Sequence, residues 1–260
     1  MLKNIKEFLC SLWFCMGFVV FGILAIPAVF ASVAAYIILF FDKNLQSRAI
    51  SRIIQITMAL YVFSALPKMG GYTVKLCGKE NLNKADIYVA NHTSFIDPFI
   101  MLALIGDAGI LVKTKYKRNP FILIFFYIFN FVSISKDDIL SVQNYYKKCA
   151  EVLTDNHRLI IFPEGQRSRN CQLADFKKSA FKLAKELNKT VATCTIRFSD
   201  KFMAKGQKSF RPKFMQTLTI CIGKPINPKS YRNADAISAK AYNEIYLNLK
   251  SIDANLKNTK

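Results

Sequence analysis

Acidic residues are scarce in this 260-residue sequence, where 17 Asp and Glu stand against 37 Lys and Arg for a formal net charge of +20. So basic a chain suits an anionic partner. One such partner is a membrane surface, where each Lys or Arg near the headgroups is worth on the order of 1 kcal/mol. Nucleic acid ranks lower, because the basic residues are scattered, no helix carries a basic stripe with interleaved aromatics, and no nucleic-acid module signature appears. Closely spaced cysteines are also missing. Cys10, Cys15, Cys77, Cys149, Cys171, Cys194 and Cys221 form no Cys-x-x-Cys pair, and their number is odd. That pattern favours free thiols in a reducing compartment over a disulfide framework or a zinc site. No metal-ligand cluster, internal repeat or low-complexity tract is visible, and the lack of a Gly-x-Ser-x-Gly elbow disfavours a serine hydrolase.

Charge is absent from one long stretch. From Phe8 to Phe41 there are 34 consecutive uncharged residues, mostly apolar. As one helix they would run roughly 51 Å, whereas a bilayer core needs about 20 residues. Pro27, in the middle, is expected to kink or break such a helix. Two readings follow: a single tilted span with overhang, or a helical hairpin dipping into one leaflet. Lys3 and Lys6 on one flank face Lys43, Arg48 and Arg52 on the other, so the charges set no orientation. The run is too long for a cleaved signal peptide and no small-residue cleavage site closes it. Residues 45–67 place Ile53, Ile56, Leu60 and Phe63 on an approximate helical stripe ending at Pro67, which reads as an interfacial helix. Residues 1–69 are therefore expected to form a membrane anchor and residues 70–260 a separate domain. The excess charge sits on the second part, where residues 71–260 carry 31 Lys and Arg against 15 Asp and Glu.

After Gly70-Gly71, β-rich runs alternate with helical patterns. Tyr72 to Cys77, Asp86 to Ala90, Gly109 to Lys113, Phe131 to Ser135, Arg158 to Phe162, Val191 to Arg197 and Gln216 to Ile222 read as strands. Ile139, Val142, Tyr146, Cys149 and Leu153 mark one amphipathic helix, and Phe176, Ala180, Leu183, Ala184 and Leu187 mark another. The alternation predicts an α/β fold, a largely parallel central sheet flanked by helices, behind an N-terminal membrane-embedded helical segment. The Lys-rich tail after Ala254 is expected to fray, and His157 reads as a solvated turn residue.

Two segments carry chemistry. Asn91-His92-Thr93-Ser94-Phe95-Ile96-Asp97-Pro98 directly follows a strand, and ligands of open α/β sheets bind at the carboxyl ends of strands. His92 is a candidate general base whose second ring nitrogen Asp97 could hold, with His92 in the turn and Asp97 at the helix start. Asp97 before Pro98 also fits a helix cap with proline in the first turn. The second segment, Phe162-Pro163-Glu164-Gly165-Gln166-Arg167-Ser168-Arg169, likewise follows an apolar strand. Gly165 permits close backbone approach, Glu164 offers an acceptor for a hydroxyl, and Arg167 offers a bidentate grip on phosphate. A solvated polar loop is the alternative. Both segments at the ends of parallel strands would converge on one edge of the sheet.

Asn-His-x-x-x-x-Asp followed by Phe-Pro-Glu-Gly-x-Arg-Ser resembles the glycerolipid acyltransferase family, typified by 1-acylglycerol-3-phosphate acyltransferases, over residues 70–230. The resemblance implies His92 as general base, Asp97 as its orienter, and Glu164, Gly165 and Arg167 as acceptor-binding residues. Lys113, Pro120-Phe121 and Lys136 fall where the family has its intermediate basic and Pro-aromatic positions, so Lys113 and Lys136 join the expected substrate site. Ser179 replaces a family glycine, Gln166 a threonine, and the strand Val191 to Ile196 lacks the family's proline. The implied reaction moves a fatty acyl group from acyl-CoA or acyl carrier protein to a lysophospholipid hydroxyl, most simply that of 1-acylglycerol-3-phosphate, in phospholipid synthesis. It needs no cofactor or metal. Anionic membrane lipids are the expected surroundings, at the cell membrane with the catalytic domain on the cytoplasmic face. A different lipid acceptor, or a non-catalytic membrane protein that binds anionic lipid, are the alternatives. The apolar run Phe121 to Phe131 reads as core, membrane-dipping helix or acyl-tunnel wall.

Overall fold

The computed structural model of the chain describes residues 2–69, 72–106, 108–113, 132–134, 139–154, 157–168, 171–202, 204 and 216–258. Seven strands form where the sequence places them: β1 (Tyr72–Cys77), β2 (Ile87–Ala90), β3 (Ala108–Lys113), β4 (Val132–Ile134), β5 (Arg158–Ile161), β6 (Val191–Phe198) and β7 (Gln216–Ile222). They make one sheet in the order β1-β7-β6-β2-β5-β3-β4. The strands from β6 to β4 are mutually parallel. β7 runs against β6, and β1 pairs parallel to β7, so one edge opposes the rest.

Every residue of central β2 is buried, as expected of a strand covered on both faces. Its side chains alternate between two apolar layers. Tyr88 and Ala90 join a layer with Ile100 and Met101, while Ile87 and Val89 join one with Cys149, Leu153, Phe181 and Leu183. The first layer is built by α3 (Asp97–Ile105) and the second by α4 (Ile139–Thr154), α5 (Ser179–Glu186) and α6 (Ala234–Asn258). The whole of α6 lies beyond the sequence-based expectation. Ile237, Ala241, Ile245, Leu249 and Ile252 are buried along it, at the spacing of one helix face, and the helix continues past Ala254, where fraying was expected.

The N-terminal segment is one helix, α1 (Leu2–Ile38), which runs through Pro27 unbroken. Proline removes one ladder bond without ending the helix here. The chain turns at residues 39–42, where Asp42 Oδ1 accepts the backbone N–H of Leu45 at 2.9 Å and caps α2 (Lys43–Leu60). A π-helical turn, Tyr61–Ala65, and a last α turn, Leu66–Lys68, extend α2. The hairpin is thus made by α1 against α2, and no fold-back occurs at Pro27. Trp13 Nε1 donates to the Met69 carbonyl at 2.7 Å, and the Tyr72 hydroxyl donates to the Val62 carbonyl, also at 2.7 Å. The second bond fastens the π turn to β1.

By length and composition, Cys15–Ile38 and Leu45–Lys68 are each apolar enough to cross a membrane. The stripe expected on α2 needs correction. Ile56 and Leu60 are half exposed, whereas Met58, Val62 and Leu66 enter the first apolar layer. The sequence offers two overlapping apolar stripes, and the one with a 4-residue step meets α3. On α1, Phe8, Val19, Ile23, Ile26, Phe30, Ile37 and Ile38 all point outward. So long an exposed apolar surface is the mark of a membrane or protein contact.

Two further expectations are corrected. Cys77 and Cys221 are opposite one another on β1 and β7 and form a disulfide, with Cα atoms 4.6 Å apart. The register of two parallel strands joins cysteines separated by 144 residues, a pairing that spacing along the chain does not reveal. Cys15, Cys149, Cys171 and Cys194 are free. His157 is buried at the start of β5 rather than solvated.

Candidate active site

The ends of β2 and β5 meet side by side because the two strands pair in register from Ile87–Leu159 to Val89–Ile161. The residues that follow each strand, His92 and Glu164, therefore face one another. Asn91 anchors the first loop. Its side chain donates to the Ile196 carbonyl at 2.9 Å and accepts the Ile196 N–H at 2.8 Å, extending the sheet bonding of β6.

His92 Nδ1 lies 3.0 Å from Asp97 Oδ2, which leaves Nε2 as the nitrogen available to a substrate proton. Asp97 is completely buried, and the same Oδ2 accepts the backbone N–H groups of Thr93 and Ser94, each at 2.7 Å. Asp97 is thus a contact of His92 and not the cap of α3. Ile96 holds the N-cap position of α3 without a side-chain bond, while the Asp97 carboxylate binds residues that precede the helix. It acts as a clamp on the His92 loop. The His92 ring also packs on Phe162, with centroids 4.4 Å apart.

Glu164 is buried, and both of its oxygens receive backbone donors: His92 N–H at 2.7 Å on one and Ala174 N–H at 3.0 Å on the other. The sequence suggested an acceptor-binding carboxylate; in the fold the Glu164 carboxylate bridges the His92 loop and the backbone at Ala174. Ser168 N–H completes the junction by donating to the His92 carbonyl at 2.7 Å. Burial pushes the Glu164 carboxyl up to about 7, against the opposing pull of the two N–H donors. The folded state then binds the proton more tightly than the unfolded chain, so stability falls as pH rises from about 4.5 to about 7, by on the order of 3 kcal/mol at most. Glu164→Gln should remove that slope and lose one of the two backbone bonds. Denaturant unfolding of both proteins in mild detergent across pH 5 to 8 checks it: the wild-type advantage should shrink with pH, and parallel curves would refute the linkage.

Gly165 has φ +67°, in the left-handed region that favours glycine. A Cβ there would stand 2.8 Å from Lys177 Nζ, so the space beside this glycine is taken by a lysine side chain. Arg167, at the same loop, lies over the Phe95 ring at 5.9 Å from its centroid. Phe95 is about half exposed, and sequence reasoning missed it. Lys113 ends β3, next to β5 in the sheet. Lys136, Pro120-Phe121 and the run 121–131 lie outside the described residues.

Five of the expected site residues thus converge on the ends of β2 and β5: His92, Asp97, Glu164, Gly165 and Arg167. The Acyltransferase family model matches residues 73–197. A 1-acyl-sn-glycerol-3-phosphate acyltransferase of Chlamydomonas reinhardtii is 32% identical over 64% of this chain and 50% of its own length. A chloroplastic 1-acyl-sn-glycerol-3-phosphate acyltransferase of Arabidopsis thaliana is 29% identical over 67% of this chain and 48% of its own length. The chain spans about half the length of these curated relatives. The crystal structure of the 1-acyl-sn-glycerophosphate acyltransferase PlsC from Thermotoga maritima shares the fold, with a TM-score of 0.76 at 20% identity, over 97% of this chain and 98% of that one. The similarity is to glycerolipid acyltransferases, and it covers the part of the chain that holds both loops of the site.

Proposed function

We propose that this protein transfers a fatty acyl group from a thioester donor, acyl-CoA or acyl carrier protein, to the free hydroxyl of 1-acylglycerol-3-phosphate, giving phosphatidic acid. The observation that carries the reading is the 3.0 Å contact between His92 Nδ1 and the buried Asp97 carboxylate. Binding a lipid needs neither a base nor a group to orient it. Nε2 takes the proton of the acceptor hydroxyl as its oxygen attacks the thioester carbonyl. The tetrahedral intermediate collapses with cleavage of the C–S bond, and the imidazolium returns the proton to the departing thiolate. Asp97 stabilises the imidazolium in between.

Residues 1–69 anchor the enzyme, and residues 70–260 work at the cytoplasmic face of the membrane, where anionic headgroups meet the basic body. Arg167 grips the phosphate of the acceptor, with Lys113 and Lys136 adding positive potential. Purified protein in detergent, given a labelled thioester and 1-acylglycerol-3-phosphate, should yield phosphatidic acid; binding without turnover would leave a lipid-binding protein. Arg167→Ala should raise KM for the phosphorylated acceptor on the order of tenfold or more, as expected for a lost charge-assisted pair, with little change for an uncharged monoacylglycerol. Arg167→Lys should recover only part of this, since Lys lacks the planar fork. Equal losses toward both acceptors would make Arg167 structural.

A further inference from the structure

The turn that follows His92 leaves one large side chain outside. Thr93, Ser94, Ile96 and Asp97 are all buried, whereas Phe95 between them is about half exposed. The turn itself is fixed: the Thr93 and Ser94 N–H groups bind Asp97 Oδ2 at 2.7 Å each, and the Ile96 N–H binds Ser94 Oγ at 3.3 Å. Phe99, in the first turn of α3, lies against the Phe95 ring with centroids 5.9 Å apart and packs on the first apolar layer. The ring therefore stands on a rigid base. A single exposed apolar side chain needs no explanation by itself. What singles out Phe95 is the Arg167 guanidinium, 5.9 Å from the ring centroid and within the roughly 6 Å reach of a cation–π contact.

This contact joins the two loops by a second route. The bonds from His92 N–H to Glu164 and from Ser168 N–H to the His92 carbonyl fix the two main chains to one another. Neither restrains the Arg167 side chain, whose many rotamers make it costly to order. A guanidinium that rests on a ring uses its face, while its N–H groups lie in its plane, so such a contact does not compete with a bidentate grip on phosphate. Ordering Arg167 beforehand reduces the entropy lost when an acceptor binds. The ring also belongs to the same turn as His92 and Asp97, which references the phosphate grip to the base. Only a short glycerol backbone separates the phosphate from the reacting hydroxyl, so that reference decides whether both ends of the acceptor fit at once.

Resting on the function proposed above, we propose that Phe95 is a positioning residue for the acceptor: its ring seats the Arg167 guanidinium so that the phosphate meets Arg167 while the hydroxyl meets His92.

The test pairs Phe95→Leu, which keeps an apolar side chain without the ring, with Phe95→Tyr, which keeps the ring. In Phe95→Leu, KM for 1-acylglycerol-3-phosphate should rise about two- to fivefold, the range of an exposed cation–π contact, with KM for an uncharged monoacylglycerol unchanged. Phe95→Tyr should stay near wild type. In an Arg167→Ala background the effect of Phe95→Leu should vanish, because the ring acts through that side chain. Equal rises for both acceptors would assign the ring to the acyl chain and overturn the proposal. So would a wild-type KM in Phe95→Leu, or an undiminished effect in the Arg167→Ala background. If the wild type shows no turnover, the acyltransferase reading fails by itself, and the same comparisons made on the Kd of labelled 1-acylglycerol-3-phosphate still decide whether Phe95 acts through Arg167.

Discussion

Replacing His92 with Ala should lower turnover by about 10²–10⁴-fold, the usual contribution of a positioned general base, while the protein should stay folded. The structural cost is small because Asp97 keeps other partners: its Oδ2 still accepts from Thr93 and Ser94, each at 2.7 Å. The backbone bonds from His92 N–H to Glu164 and from Ser168 N–H to the His92 carbonyl do not involve the ring. What disappears is the ring itself, its contact with Phe162 and its hydrogen bond to a charged group, the last worth about 1.5–3 kcal/mol. Initial rates and thermal melts on the purified variant in the same detergent separate the two effects. Near-normal turnover in a folded His92→Ala protein removes His92 from the mechanism.

The strands were legible because each is a short β-branched or aromatic run between breakers, and the sheet enforces what the local pattern suggests. The His–Asp pair was legible because five residues suffice to bring a turn residue back to the first turn of the next helix. Contacts that cross the fold were not. Glu164 looked like a substrate ligand because its sequence neighbours are polar and chemical. Its carboxylate also receives a backbone N–H 72 residues away, and no periodicity encodes such a bond. The Cys77–Cys221 bond depends on the register of two parallel strands at the sheet edge, which only the folded topology defines. Helix α6 is a different kind of miss. Its apolar positions repeat at helical spacing from Ile237 to Ile252, so the signal was present, masked by the polar and Lys-rich residues between. The stripe on α2 was ambiguous in itself, since Met58, Val62, Leu66 and Phe63 meet the first apolar layer while Ile56 and Leu60 are left half exposed.

Asp97→Asn should cost activity on the order of 10²-fold or more while stability falls by at most about 3 kcal/mol. Asn and Asp cap helices about equally well, so a mere cap would make the change nearly silent. Here the side chain does not cap its own helix. Thr93 and Ser94 both point N–H donors at Oδ2, and these hold the amide oxygen of an Asn in that position, because a flipped NH₂ would oppose two donors. The oxygen can still take the Nδ1 proton, so His92 keeps the tautomer that leaves Nε2 open. The negative charge is gone, however, and with it the stabilisation of the imidazolium formed as the acceptor hydroxyl is deprotonated. The NH₂ takes the place of Oδ1, which is buried without a partner among the described residues, so the fold exchanges one unsatisfied polar atom for another. The expected signature is a fall in kcat with KM for the acceptor little changed, alongside a melt close to wild type. Wild-type kcat in the Asn variant would reduce Asp97 to a clamp on the Thr93–Ser94 turn and leave His92 without an electrostatic partner in the reaction.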